Sequence, residues 1–178
     1  EIIGIVISVF GVLLLIALLS YSPSDPNFIF SDNTEIKNLL GFQGSYISDF
    51  FFQSLGLISF LIPLTYFLSG IRVVKEKKIF FLIENTFYII IYSILGALFF
   101  SYFYQDAFYL YINGNGGFVG VYLSQIFIKS GTIPYENIFY YIFTLFIIVF
   151  FLLSFNFKPE KALLSINNVL KLIFKKNK

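Results

Sequence analysis

Apolar residues in this chain gather into four long runs, separated by short polar, basic or glycine-rich stretches. The first run, Ile2 to Tyr21, is uncharged and has the roughly 20 residues that a helix needs to cross a bilayer. It exceeds the apolar core of a signal peptide, about 7–15 residues, and no Ala-x-Ala cleavage site follows it. It stops at Ser22-Pro23-Ser24-Asp25-Pro26, where the prolines remove backbone donors and bias the residues before them away from helix. A fixed turn is expected there. The polar stretch that follows holds Asp32, Glu35 and Lys37, and its few apolar residues, Phe28 to Phe30, could rest on a membrane surface.

The second run is entered through Asn38, Gly41 and Gly44 and is predicted to span from about residue 46 to Gly70. At about 100° per residue, Asp49, Gln53, Gly56, Phe60, Pro63, Phe67 and Gly70 recur at steps of three and four. That stripe is expected to face other helices, leaving Phe51, Leu55, Ile58, Leu61, Ile62 and Leu68 to lipid. A basic loop, Arg72 to Lys78, leads to the third run, which ends near Gln105-Asp106. Glu84 and Asn85 lie near its start, so the span either begins after them, at about 85–104, or lets them snorkel toward the loop; the first is favoured. Gly96 falls mid-span, as a point of close helix approach.

Between the third and fourth runs lies YLYINGNGGFVGVYLSQIFIKSGTIP, too glycine-broken to span. Gly116, Gly120 and Ser124 place small residues on one helical face, and the segment up to Lys129 is long enough only for a half-span or an interfacial helix. Gly131 to Pro134 closes it. The fourth span is expected at about 137–157, anchored at one interface by Tyr140 and Tyr141. From Lys158 to Lys178, Leu163, Ile166, Leu170, Ile173 and Phe174 recur at helical spacing, with Lys171, Lys175 and Lys178 on another face. This reads as a basic amphipathic tail or the start of a linker, the alternative being a frayed end. The expected fold is therefore all-α: one polytopic membrane domain over residues 1–157, with four transmembrane helices and a glycine-broken half or interfacial helix before the fourth.

Composition agrees, with 58% apolar and 12% charged residues where soluble proteins average about half and a quarter. Its Phe, Ile, Tyr, Asn and Lys richness looks like AT-biased coding rather than an aromatic binding surface. Charge sets the orientation. Lys37 and Lys129 sit on one side, whereas Arg72, Lys75, Lys77, Lys78 and the six tail lysines sit on the other, which the positive-inside rule makes cytoplasmic. Both termini are then cytoplasmic. The chain opens with Glu1 and ends in a charged run, so it is expected to be a piece of a longer polypeptide.

The absence of Cys, His and Met removes thiol nucleophiles, disulfides, the usual zinc sites, imidazole acid–base chemistry and the usual haem ligands. No catalytic, metal or cofactor-binding residue is assigned. Asp49 and Gln53 could begin an ion path, but Asp49 is near the outer end of its span and no second carboxylate is placed deep, so packing or capping is favoured. The glycine cluster Gly114 to Gly120 is like a phosphate-cradling loop only superficially, since such loops follow a strand and face cytosolic nucleotide. For the basic tail, anionic lipid is a better partner than nucleic acid.

One family carries this pattern. The tyrosine-serine-proline-serine-aspartate-proline exit (Tyr21 to Pro26), the Asn38-x-x-Gly41-x-x-Gly44 entry, Asp49, Phe52-Gln53, Gly56, Leu61 to Leu64, Gly70 to Arg72, and Gly116-Gly117 with Gly120 resemble the N-terminal membrane domain of the FtsK/SpoIIIE family of bacterial DNA translocases. The resemblance implies a cytoplasmic hexameric ATPase beyond Lys178 that pumps double-stranded DNA and couples chromosome segregation to septum closure. ATP and magnesium would bind only that motor, because this chain has no Gly-x-x-x-x-Gly-Lys-Ser/Thr loop. The fragment itself would be no enzyme but an anchor in the inner membrane at the septum, touching lipid, copies of itself, up to a hexamer through the motor, and other division proteins. DNA would be touched only by the motor. From a different class, a small carrier or channel with a re-entrant glycine segment would need inverted repeats and polar groups near the midplane, and a membrane-embedded enzyme would need a nucleophile–base pair; the sequence shows none of these.

Overall fold

The computed structural model describes residues 1–26, 35–105, 112–129 and 136–158, and the backbone alone for 127–129 and 136. The described residues form helices and no strand: α1 (Ile2–Leu19), α2 (Gly41–Leu55), a short 3-10 helix (Gly56–Phe60), α3 (Leu61–Glu76), α4 (Phe81–Phe103), α5 (Gly117–Lys129) and α6 (Glu136–Ser154). Among the described residues, four stretches are long and apolar enough to cross a membrane: Ile2–Leu19, Gly41–Glu76, Phe81–Phe103 and Asn137–Ser154. The Phe28 to Phe30 patch, the exit at Asp106, the closure at Gly131 to Pro134 and the tail from Pro159 onward lie outside the described residues.

Polarity is inverted relative to a water-soluble core. Ser48, Ser59, Thr65 and Ser154 are 0% exposed, whereas Ile2, Phe80 and Tyr141 are 78%, 76% and 71% exposed. Lipid accepts that surface, and the hydroxyls of these four buried residues find partners inside, as a bilayer demands. Thr65 Oγ1 lies 3.0 Å from both the Tyr92 hydroxyl and Ser154 Oγ, which ties α3 to α4 and α6.

Helix α1 packs antiparallel on α3 along a seam of small residues. A Cβ on Gly4 would sit 2.6 Å from the Gly70 carbonyl oxygen, and one on Gly11 would sit 2.7 Å from the Pro63 carbonyl oxygen and the Phe67 nitrogen. Pro63 lies in the first turn of α3, where an amide N–H has no intrahelical acceptor to lose. Helix α4 forms the centre, touching the 3-10 helix, α3, α5 and α6.

The second apolar stretch is not the single rod expected from about 46 to 70. Ser59 Oγ donates to the Phe51 carbonyl at 2.9 Å, and the Phe52 and Phe60 rings are 5.3 Å apart. Eight residues of continuous helix would separate such partners by about 12 Å along the axis. The chain turns sharply at Gly56, whose φ of 73° and ψ of −149° end α2. The turn also rearranges the faces: Ile58 and Ile62, expected at lipid, are each 3% exposed, and Phe67, expected inward, is 38% exposed. A straight 100° projection loses register across such a break.

The third span also departs from expectation. It begins at Phe81, before Asn85, and Asn85 is buried inside the bundle, where its Nδ2 donates to Ser69 Oγ at 2.7 Å. A serine on the facing helix removes the reason to keep the amide in water. Glu84 remains exposed.

The candidate assembly site: a broken helix filled by a glycine segment

At the end of the bundle opposite the basic loop, the turn after α1 is clasped to the entry of α2. Pro23 and Pro26 bracket Asp25, and the buried Asp25 carboxylate accepts the backbone N–H groups of Lys37 at 3.0 Å and Asn38 at 2.8 Å. Asn38 in turn donates from Nδ2 to the Ala17 carbonyl, 2.9 Å away, satisfying a carbonyl near the end of α1. Ser45 Oγ donates to the Pro26 carbonyl at 2.7 Å. The two entry glycines serve different ends. Gly41 (φ 64°) has open space where a Cβ would be, so only its backbone conformation asks for glycine; at Gly44 a Cβ would lie 2.1 Å from Asn38 Oδ1.

One turn deeper, Asp49 Oδ1 accepts from the Tyr21 hydroxyl and from Gln53 Nε2, each at 3.3 Å. Asn113 Nδ2 reaches both the Gln53 carbonyl and Gln53 Oε1 at 3.2 Å. The Asp49–Gln53 pair thus joins α1, α2 and the glycine segment in a network of side chains and fixes geometry.

The glycine segment enters the break itself. The Asn115 carbonyl accepts the Leu57 N–H at 2.9 Å, taking up a donor that the turn at Gly56 sets free. A Cβ on Gly56 would lie 2.0 Å from that carbonyl oxygen, and one on Gly117 (φ 61°) would lie 2.6 Å from the nitrogens of Leu55 and Gly56. Asn115 is 2% exposed, and its Nδ2 donates to the Tyr104 carbonyl at the end of α4.

From there α5 crosses α4 at Ala97 and Ser101. Cβ atoms on Gly116 and Gly120 would lie 2.4 and 2.2 Å from the Ala97 carbonyl oxygen, and Ser101 Oγ donates to Ser124 Oγ at 3.1 Å. The small-residue face of Gly116, Gly120 and Ser124 is therefore occupied within the chain and is not open to a second copy. Ala97 lies about 10 Å, two helical turns, inside the end of α4. The segment is thus packed on the last two turns of α4, over Ala97 and Ser101. Gly96, on the neighbouring face of α4, receives Ile58, whose Cγ1 would lie 2.2 Å from an added Cβ.

Sequence reading missed Gly4, Gly11, Ala97, Ser101 and Asn115 as contact residues. The seven-residue step from Gly4 to Gly11 on one face of α1 was the available signal; for Asn115 nothing short of the break itself marks it. Among the described residues, no group of three or more His, Cys, Asp or Glu side chains could hold a metal ion.

These features define a class: a helical polytopic membrane domain of four spans, with a glycine segment and its short helix docked into a broken second span. The family described as the 4TM region of DNA translocase FtsK/SpoIIIE matches residues 1–162, and the chain belongs to it. Among its relatives, a DNA translocase FtsK of Rickettsia typhi is 32% identical over 164 residues, covering 91% of this chain and 20% of that protein. Shorter matches are to the FtsK translocases of Rickettsia prowazekii, 39% identical over 67 residues (38% of this chain and 9% of that protein), and Caulobacter vibrioides, 36% over 73 residues (41% and 9%). The chain thus spans a fifth or less of the length of these relatives. No solved structure matches it.

Proposed function

We propose that this domain anchors a cytoplasmic ATPase that translocates double-stranded DNA, and holds it in the inner membrane at the division septum. The observation that carries the reading is the family match over residues 1–162, supported by relatives that carry the name DNA translocase and extend far beyond the matched region. The domain catalyses nothing and binds no cofactor; ATP and magnesium belong to the motor, as does the DNA. Its own partners are lipid, other copies of itself and other division proteins. With Gly116, Gly120 and Ser124 occupied, self-association uses the outward faces of α1 and α6, whose exposed apolar side chains include Val6, Phe10, Leu145 and Val149.

Both termini are cytoplasmic in this reading. The described basic residues Arg72, Lys75, Lys77, Lys78 and Lys158 support it by flanking the ends of α3 and α6 and the start of α4, on the side where Lys77 Nζ meets the Glu1 carboxylate at 3.0 Å. An impermeant thiol reagent applied from outside should label Asp32→Cys and spare Lys77→Cys, and a fluorescent fusion of the chain should gather at the septum of dividing cells. The reverse labelling pattern overturns the topology, and an even distribution around the envelope overturns septal anchoring.

The docked glycine segment is the one feature that a carrier reading could use. It is packed against backbone on both sides, however, and Asn113, Asn115 and Ser124 bond to neighbouring groups instead of lining a path. Liposomes holding the purified chain should show no specific ion or solute flux; such a flux, with no incorporation into the full-length oligomer, would favour the carrier.

A further inference from the structure

At the basic end, α3 and α6 close around a cleft of about 350 Å³ whose lining includes Leu68, Ile71, Arg72, Lys75, Phe155 and Lys158. Its build follows from how α6 ends. The Asn156 N–H bonds the Leu153 carbonyl at 2.9 Å and the Phe157 N–H bonds the Leu152 carbonyl at 3.0 Å, with Asn156 left-handed at φ 51°. This is the paired-bond helix stop that favours glycine or asparagine at the left-handed position. With its amide turned so that the oxygen faces α3, the orientation that gives its atoms partners, Asn156 accepts from both terminal nitrogens of Arg72, at 2.9 and 3.2 Å. Arg72 also meets Glu76 at 3.3 Å and stacks 3.6 Å above the Phe81 ring. Its charge is committed to holding the two helix ends together.

Lys75 and Lys158 are placed differently. They rim the same cleft, one from each helix end, and among the described residues neither makes an ion pair. Below them, toward the bilayer core, the floor is apolar: Leu68 and Ile71 on α3, Phe155 beyond α6. A site with cations at the membrane surface and hydrocarbon beneath matches a molecule with the same division. We infer that this cleft binds one anionic phospholipid, its phosphate between the Lys75 and Lys158 ammonium groups and an acyl chain along Leu68, Ile71 and Phe155. A headgroup without its own ammonium is selected, because a zwitterion would bring a positive charge to two lysines. The apolar floor separates this occupant from free phosphate. The bound lipid would brace the end of α6 against α3, where the chain leads on toward Lys178.

The test is lipid binding by the 178-residue chain in detergent, titrated with phosphatidylglycerol or phosphatidylcholine and read by native mass spectrometry. One phosphatidylglycerol should stay bound where phosphatidylcholine does not. Each neutralised lysine should weaken retention about fivefold, and Lys75→Gln with Lys158→Gln roughly thirtyfold. Lys171→Gln/Lys175→Gln/Lys176→Gln, which lowers tail charge alone, should leave that one lipid in place. Helical circular dichroism and elution volume must match across variants; should the double glutamine variant misfold, Lys75→Arg/Lys158→Arg, which keeps both charges, must still retain the lipid. Equal retention of the two lipids, displacement by inorganic phosphate, or a loss that follows the tail variant instead of the cleft variant overturns the site.

Discussion

Among the places in this domain where backbone meets backbone, the α1–α3 seam and the broken second span use glycine for different physical reasons. In the α1–α3 seam, Gly4, Gly11 and Gly70 lie inside regular helices, and glycine is needed only for what it lacks: a Cβ at any of them would fall within 3 Å of the facing helix. At the broken second span, Gly56 and Gly117 need that absence of Cβ and a positive φ besides. A seam can ease a new methyl group by letting two helices part, because no backbone N–H of either helix has its partner across it, and the exposed bond from Ser8 Oγ to the Phe67 carbonyl, 3.2 Å, can lengthen with little loss. A break cannot, since the Leu57 N–H has its partner only while Asn115 stays in place. The seam is a packing solution common to membrane helices; the break is a backbone solution that binds one segment of the chain to another.

Substitutions should separate the two in order of size, measured as unfolding midpoints of the purified chain in one detergent. Gly56→Ala should be the most damaging, costing about 3–5 kcal/mol, because strain in a region nearly confined to glycine adds to overlap with a carbonyl. Gly11→Ala should cost about 1–3 kcal/mol, as an overpacked contact that partly relaxes. Gly41→Ala tests conformation without crowding, since φ is 64° and the space is open; about 1 kcal/mol is expected. Ser101→Ala, which removes one hydroxyl bond between α4 and α5, should cost about 0.6 kcal/mol. If Gly11→Ala equals or exceeds Gly56→Ala, the proposed difference between seam and break is gone.

Which parts of this were legible beforehand follows the same division. Four spans and a short half or interfacial helix before the last could be read from run length, because crossing a bilayer sets a length that glycine and proline punctuate. The exit at Pro23 to Pro26 and the entry at Gly41 were legible because prolines and glycines act locally. The turn at Gly56 was not: one glycine within an apolar run more often marks close packing than a sharp turn, and what holds the turn in place is Asn115, far along the chain. Once the turn was missed, Ile58 and Ile62 were assigned to lipid by a periodicity that no longer applied. Asn85 was misplaced for a related reason, since its acceptor, Ser69, sits on another helix. The stripe from Asp49 to Gly70 named several residues that the structure buries, Asp49, Gly56, Pro63 and Gly70 among them, but it joined two faces that belong to separate helices.

The docking of the glycine segment into the broken second span can be tested in one step, because the chain has no native cysteine to remove. Gln53 and Asn113 lie beside the break, with side-chain atoms 3.2 Å apart. The Gln53→Cys/Asn113→Cys variant, reconstituted in lipid and treated with a short thiol-to-thiol reagent, should yield the joined peptides within a single chain, at high yield and independent of protein density. Unjoined peptides, or links formed only between chains, would mean that the segment lies elsewhere and that the second span is not closed by it.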